Sequence, residues 1–120
     1  MAGIEVKNFD SPDETRPFEG NGQAAVLNIG GRVVGKGTFE PGWVWSNNVK
    51  PIAQTDSCQV SHLGYVISGR MGVRMDDGTE SEVGPGDVFA LAPGHDAWVV
   101  GDEPCIALDF GEFGEYAKRH

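Results

Sequence analysis

The sequence of 120 residues is long enough for one domain with a hydrophobic core and too short for two. Its formal net charge of −9 argues against binding to nucleic acid or to anionic membranes, because both need clustered Lys and Arg. No apolar run approaches the roughly 20 residues of a membrane-spanning helix, and Met1 to Asp10 lacks the features of a signal peptide. The two cysteines, Cys58 and Cys105, do not make a disulfide framework, so we expect a cytoplasmic protein.

Polarity divides the chain into three parts. Residues 1–23 are polar and are expected to form an N-terminal arm with one edge strand at Ile4 to Val6. Residues 24–110 contain short runs of β-branched and aromatic residues separated by Gly, Pro and Asp-Gly turns, which predict a single barrel domain of about nine or ten strands. Residues 111–120 are expected to form a tail, either frayed or with one short helix over Glu112 to His120.

The predicted strands follow one another at nearly even spacing. They are AAVLNI, RVVGKGTF, WVWSNN, the strand that ends at Ser68, MGVRM, TESEV, DVFALA, DAWVV and PCIALDF. Lys50 to Ser57 is an unusually long loop between two of them, and we expect it to cover the mouth of a pocket. Helical periodicity is lacking and the connections are too short for parallel crossovers, so the fold class is all-β, either a sandwich or a barrel.

The strand from Cys58 to Gly69 places a histidine on an apolar surface before a sharp turn. Side chains alternate across a strand, so His62, Gly64 and Val66 share one face. The opposite face carries Leu63, Tyr65 and Ile67. Gly64 is expected to leave empty volume beside the imidazole, which predicts a pocket that contains His62.

Two segments together resemble the sequence motifs of the cupin superfamily. They are Gly84 to Val100, GPGDVFALAPGHDAWVV, and Cys58 to Gly69 followed by MGVRMDDGTE. The resemblance covers about Phe39 to Phe110 and implies a double-stranded β-helix, a jelly-roll cupin barrel that is often dimeric. Cupin metal sites usually comprise three histidines and a glutamate, and they serve dioxygenases, isomerases, decarboxylases and metal-free binding proteins alike. The fold therefore leaves the function open.

The first cupin motif can be aligned in two registers. Counting back from Gly69 places His62 at the usual glutamate position, with Cys58 and Asp56 at the two histidine positions. Counting forward from Gly42 instead places Asn48 and Lys50 at the histidine positions, with residues 51–57 as an insertion. The second register suits the strand WVWSNN better, but both remain open.

The second motif supplies one further candidate ligand, because His95 lies two residues before the usual histidine position. Together, His62, His95 and Cys58 form a candidate site for one divalent transition metal. Imidazole and thiolate suit zinc, iron, nickel or copper rather than magnesium. In the alternative interpretation His62 is a hydrogen-bonded pocket histidine, Cys58 a packed thiol and His95 a turn residue.

Several polar and aromatic side chains are candidates for binding a small organic ligand, namely Asn48, Tyr65 and Trp98. If Asn48 points into the pocket, strand alternation turns Trp43 and Trp45 outward, where the N-terminal arm or a second subunit would cover them. We therefore predict a homodimer.

Three functions remain in competition at this point. The first is a metal-dependent enzyme of oxygenase, isomerase or decarboxylase type that acts on a small organic molecule. The second is a non-catalytic module that binds or senses a small molecule without a tight metal site, and the third is an interaction domain.

Overall fold

The computed structural model of the protein describes residues 3–111 and 116–118. Those residues form nine strands and two helices of four residues each. In chain order they are β1 (Glu14–Pro17), β2 (Gly22–Ile29), β3 (Arg32–Phe39), α1 (Trp45–Asn48), α2 (Lys50–Ala53), β4 (His62–Ser68), β5 (Arg70–Met75), β6 (Glu80–Val83), β7 (Val88–Leu91), β8 (His95–Val100) and β9 (Cys105–Asp109).

The strands form two sheets in which every pairing is antiparallel, which confirms the predicted all-β class. The larger sheet has the order β1-β2-β3-β9-β4-β7, and the smaller one has the order β6-β5-β8. The final strand, β9, lies between β3 and β4, so it joins the first part of the chain to the middle. Within the described ranges, no helix is long and apolar enough to cross a membrane.

The predicted alternation along β4 is confirmed. Gly64 and Val66 are buried, whereas the side chains on the opposite face are about half exposed. The space beside Gly64 is nevertheless filled, because the Phe89 ring lies where a Cβ at position 64 would stand. The pocket therefore extends from His62 in another direction, towards the smaller sheet.

The N-terminal part of the chain contributes more to the barrel than the sequence indicated. Ile4 and Val6 are highly exposed and lie outside every strand, so the predicted edge strand there is wrong. The edge strand is β1, which pairs with β2, and Phe18 behind it is buried in the core. The predicted C-terminal tail lies partly outside the described residues, which omit 112–115 and 119–120. Tyr116 and Ala117, which are described, are buried.

The segment WVWSNN is not a strand, and the loop that was expected to follow it is partly helical. Trp45, Asn48 and Val49 are buried with the spacing of one helical face, and the Asn48 side chain accepts a hydrogen bond from Val44 N at 2.9 Å. Pro51 stands in the first turn of α2, where its missing N–H costs nothing. Packing and capping together override the β propensity of this segment.

The helical turn also corrects the predicted direction of the two tryptophans. Because the backbone coils after Val44, Trp43 and Trp45 both point inward, and each is only 2% exposed. The prediction of an outward tryptophan pair, covered by the N-terminal arm or a second subunit, is therefore wrong.

Candidate metal centre and cavity

An apolar cavity lies between the two sheets and contains His62 and His95 at one end. Its other walls are formed by Gly37, Phe39, Trp43, Trp45, Val66, Met71, Val83, Phe89, Leu91, Ala97, Cys105, Ala107, Leu108, Asp109 and Tyr116. The centre of a water-sized sphere can occupy about 60 Å³ of it. One water needs roughly 10–15 Å³ on this measure, so the cavity could hold roughly four to six water-sized groups.

Cys58, His62 and His95 bring three metal-binding atoms together at this end of the cavity. One donor atom from each residue lies within 4.8 Å of the other two. The Sγ of Cys58 is 3.7 Å from Nε2 of His62. In a tetrahedral zinc site, bond lengths of 2.0–2.3 Å place neighbouring donors about 3.5 Å apart, so only the longer separations need to contract.

The backbone holds these three residues in place. His62 and His95 are the first residues of β4 and β8, and Cys58 is joined to His95 by an antiparallel bridge outside the named strands. The hydrogen bonds of that bridge run from Cys58 N to His95 O at 2.8 Å and from His95 N to Cys58 O at 3.3 Å, and Gly94 N also donates to Cys58 O at 2.7 Å. The cluster is therefore built on the ends of paired strands and not on a free loop.

Asp109 is a further residue of the site, and the sequence analysis missed it. Its Oδ2 accepts a short hydrogen bond from Nδ1 of His62, while Oδ1 accepts one from Gly111 N at 2.9 Å. The available signal was the alternation of β9, which places Asp109 on the same face as Cys105 and Ala107. A buried carboxylate on an inward face needs a partner, and here His62 is that partner.

Nδ1 of each histidine donates a hydrogen bond, which leaves Nε2 available to bind a metal. His62 donates from Nδ1 to Asp109, and His95 donates from Nδ1 to Ala92 O at 2.8 Å. These bonds fix the tautomer in which Nε2 carries the lone pair that a metal needs. Two imidazoles and a thiolate leave a fourth position open in a tetrahedral site, as catalytic zinc sites do. The residues therefore fit one divalent transition metal.

The charges of the cluster are strongly coupled. Burial alone would raise the pKa of Cys58, but hydrogen bonds to His62 and His95 outweigh burial and lower the pKa to about 7. Burial alone would lower the pKa of His62, but its hydrogen bonds to Asp109 and Cys58 outweigh burial and raise the pKa to about 9. Without a metal, His62 is therefore largely imidazolium at neutral pH, and Cys58 becomes thiolate as the pH rises through about 7.

Tyr116 closes the cavity next to the cluster. Its ring packs edge-on against His62 with centroids 5.3 Å apart, and its backbone oxygen accepts a hydrogen bond from Arg16 at 2.9 Å. Burial, with the negative charges of Cys58 and Asp109 nearby, raises the pKa of Tyr116 well above its ordinary value. Nothing in the sequence marks this residue, because no periodic element surrounds it.

A second cavity lies on the other side of Tyr116, and Cys58 forms part of its wall. The centre of a water-sized sphere can occupy about 230 Å³ of it. Trp45 and Tyr116 line both cavities. Cys58 therefore lines the larger outer cavity, whereas its neighbour His62 lines the small inner one.

The structure does not bring the predicted ligand-binding residues to the inner cavity. The Asn48 side chain makes structural hydrogen bonds instead, since its Nδ2 donates to Glu19 O at 2.7 Å. Tyr65 is 40% exposed on the outer face of β4. Trp98 alternates with the inward Ala97, and its ring lies across Gly72 on the outside of the smaller sheet.

Neither predicted register of the first motif describes the cluster completely. Cys58 joins His62, as the first register requires, but the Asp56 side chain is fully exposed and 4.0 Å from Lys50. Asn48 and Lys50 of the second register lie on the short helices, away from the donors. The turn formed by α1 and α2 accounts for both departures, because it displaces the segment that would otherwise be a strand.

The two cysteines are expected to differ in reactivity in metal-free protein. Burial raises the pKa of Cys105 to about 11, against about 7 for Cys58. At pH 8 roughly nine-tenths of Cys58 and about a thousandth of Cys105 would be thiolate, the nucleophilic form. Mass spectrometry after iodoacetamide treatment should show labelling of Cys58 that falls as pH drops through about 7. Equal labelling of both thiols at pH 8 would contradict the assignment.

Comparison with known proteins shows similarity at the level of the fold. No family profile matches the sequence, and no curated protein matches it either. The structure resembles an oxalate decarboxylase from Bacillus subtilis at 19% identity and a TM-score of 0.60, over 91% of this chain and 30% of that chain. KdgF from a Halomonas species matches at 20% identity and a TM-score of 0.57, over 82% of this chain and 87% of that one.

The polyketide cyclase RemF from Streptomyces resistomycificus matches at 20% identity with a TM-score of 0.61, over 88% of this chain and 77% of that chain. The jelly-roll fold that the resemblance implied is thereby confirmed. The chain has the cupin jelly-roll fold.

Proposed function

We propose that this protein is a metal-dependent enzyme that acts on a small organic molecule in the inner cavity. The observation that carries the proposal is the convergence of donor atoms from Cys58, His62 and His95 within 4.8 Å of one another, with both histidines in the wall of an apolar cavity. Small-molecule sites are commonly apolar with a few converging polar groups, and this cavity has that character. The fold is shared with an oxalate decarboxylase and a polyketide cyclase, which supports catalysis without giving its type.

Each residue has a distinct task in the proposed site. Cys58, His62 and His95 would hold the metal, and Asp109 would keep His62 in the binding tautomer. The surrounding hydrocarbon walls lower the local dielectric constant and so strengthen electrostatic interactions inside. A bound transition metal would polarise a substrate oxygen as a Lewis acid. Reactions of oxygenase, isomerase or decarboxylase type remain the candidate classes.

The experiment uses cobalt as a spectroscopic replacement for the native metal. Tag-free protein is titrated with Co²⁺, and a thiolate-to-cobalt charge-transfer band is expected at one equivalent. The band should disappear in Cys58→Ser and persist in the matched control Cys105→Ser. Azide, which is small enough for the cavity, should then change the visible cobalt spectrum because it occupies the open position.

The alternative function is a binding or sensing module without a tight metal site. Absence of the charge-transfer band at several equivalents of Co²⁺ would favour that alternative. A band that forms but does not respond to azide would indicate a closed structural site and contradict the enzyme proposal.

We also propose a homodimer, but its support is an exposed apolar surface and not the tryptophan pair. The outer face of the larger sheet carries an exposed apolar surface made of side chains 40–71% exposed, namely Leu63, Tyr65, Ile67, Val88 and Phe110. A contiguous surface of this kind often marks an interface between subunits. Sedimentation of micromolar protein should give a dimer, and Val88→Lys should shift it to a monomer. A wild-type monomer would refute the prediction. A cytoplasmic location also stays a prediction.

A further inference from the structure

Cys58 has the weakest backbone support of the three metal-binding residues. His62 and His95 begin strands that pair along several residues, whereas residues 54–61, all of them described, belong to no helix or strand. Cys58 is joined to the sheet by an isolated bridge to His95, in which the bond from His95 N to Cys58 O is long, at 3.3 Å. The position of the thiol therefore depends on what holds the residues on either side of it.

Asp76 holds the segment that carries Cys58 against the segment that carries His95. Its Oδ2 accepts a hydrogen bond from Ser57 Oγ at 2.9 Å, and its N–H donates to Gly94 O at 2.9 Å. Ser57 directly precedes Cys58, and Gly94 directly precedes His95. One residue thus contacts the chain immediately before two of the three metal ligands.

The contacts of Asp76 and Ser57 are closely packed. A Cβ added at Gly94 would lie 2.9 Å from Asp76 Oδ2, so the carboxylate lies directly against the backbone there. Ser57 is buried, and its Oγ also accepts a hydrogen bond from Gln59 Nε2 at 3.0 Å. A buried hydroxyl that both donates and accepts is held in one orientation. The bond from Ser57 to Asp76 is therefore a fixed part of the structure.

The neighbouring residue in the same turn makes no such contact. Asp76 and Asp77 both belong to the Asp-Asp-Gly turn between β5 and β6, where acidic residues are ordinarily solvated. The Asp77 carboxylate accepts a hydrogen bond from Thr79 N at 2.9 Å, within the turn itself. Asp77 is therefore a matched control for Asp76.

From these contacts we infer that Asp76 is a positioning residue for the metal centre, because together with Ser57 it fixes Cys58 relative to His95. We call this pair the Ser57–Asp76 clamp. It acts through the backbone and supplies none of the three converging donor atoms. The inference rests on the proposed function in one respect, since it concerns the geometry of the same three donors.

The test begins with Co²⁺ titrations of tag-free variants. Asp76→Ala removes the acceptor and Ser57→Ala removes the donor, so each is expected to weaken Co²⁺ binding about 10-fold. The double variant should bind no more weakly than either single variant, because both substitutions remove the same bond. Asp77→Ala, which removes a charge from the same turn, should bind Co²⁺ like the wild type.

Asp76→Asn separates the hydrogen bond from the charge. The side-chain oxygen of Asn can still accept a hydrogen bond from Ser57, while the negative charge is lost. We expect this variant to bind Co²⁺ within about 2-fold of the wild type. If it loses as much affinity as Asp76→Ala, the carboxylate acts by attracting the cation and the inference is overturned.

The cobalt spectrum gives a readout that a loss of overall stability would not change. In Asp76→Ala saturated with Co²⁺, the thiolate-to-cobalt charge-transfer band should lose intensity, because Cys58 is held less firmly. The visible d–d bands should remain, because His62 and His95 are held by their strands. An unchanged charge-transfer band at unchanged affinity would contradict the inference.

Amide hydrogen exchange tests the clamp without metal. The N–H of Cys58 donates to His95 O at 2.8 Å, and it should exchange about 10-fold faster in Asp76→Ala and in Ser57→Ala. Exchange of Cys58 should be unchanged in Asp77→Ala, and amides of β2 should be unchanged in every variant. Equal acceleration in β2 would show a global loss of stability and would contradict a local role.

Failure of this inference is distinct from failure of the proposed function. Wild-type protein without the charge-transfer band would contradict the metal centre, and exchange of the Cys58 amide would still decide whether the clamp holds that residue. A wild-type band with equal affinity and exchange in all variants would retain the metal centre and refute the clamp. Asp76 is exposed, so Asp76→Ala is expected to fold, and Ser57→Ala tests the same bond independently.

Discussion

Replacement of His62 or His95 by alanine is expected to weaken zinc binding by more than about 100-fold, because loss of a direct ligand exceeds the 10–100-fold typical of an outer partner. Each histidine supplies one of the three converging donor atoms, and nothing else in the cluster can replace it among the described residues. Competition with a zinc chelator of known affinity measures the change in tag-free protein. Retention of zinc by His62→Ala at wild-type affinity would refute the site.

Asp109→Asn tests the residue that holds the metal ligand His62 in position. The substitution keeps the shape of the side chain but weakens the acceptor for Nδ1 of His62. We expect zinc affinity to fall about 10- to 100-fold, with folding retained by circular dichroism. Asp96→Asn is the matched control, because Asp96 neighbours His95 in sequence but accepts a hydrogen bond from Ser46 N on the other face. An equal loss in both variants would contradict a specific role for Asp109.

Gly69→Ala is expected to cost about 2–5 kcal/mol of folding free energy. Gly69 has φ of +76°, and an added Cβ would lie 2.2 Å from Pro104 O and 2.6 Å from Cys105 Cα. Both contacts are with backbone, so the β4–β5 turn or β9 must move. The cost combines about 1–2 kcal/mol for a left-handed residue with about 1–3 kcal/mol for overpacking.

Gly101→Ala separates these two contributions. Gly101 has φ of +87°, and nothing lies within 4 Å of an added Cβ. Only the cost of the left-handed backbone conformation remains, so this variant should lose about 1–2 kcal/mol of folding free energy. Urea denaturation of both variants, with unchanged m-values, gives the difference. Equal losses of folding free energy in the two variants would show that the close packing of Gly69 against β9 does not contribute to the cost.

Most of the barrel could be predicted from the sequence because its strands are bounded by strong local signals. Asp-Gly and Pro-Gly turns end the strands, and alternation along β4 identifies the inward face that carries His62. Position 95 was also predicted as a ligand candidate, since it follows the Pro93-Gly94 turn and lies two residues before the usual histidine position of the second cupin motif. These features depend on neighbours in the chain, which a single sequence displays.

The remaining features depend on contacts between distant residues. Trp43 and Trp45 turn inward only because the Asn48 side chain bonds to Val44, Glu19 and Asn21 and so holds α1 in place. Asp109 becomes significant only once β9 pairs with β4 opposite Gly64. The sequence shows each of these residues but not which partner it meets.

The hydrogen bond from Arg16 to the backbone oxygen of Tyr116 has a kinetic consequence. These residues are 100 positions apart, so their contact closes a loop that contains most of the chain. Loop-closure entropy makes such long-range contacts slow to form relative to local hairpins. The barrel should therefore assemble first, and shelter of the Cys58 thiol by Tyr116 should be among the last events of folding.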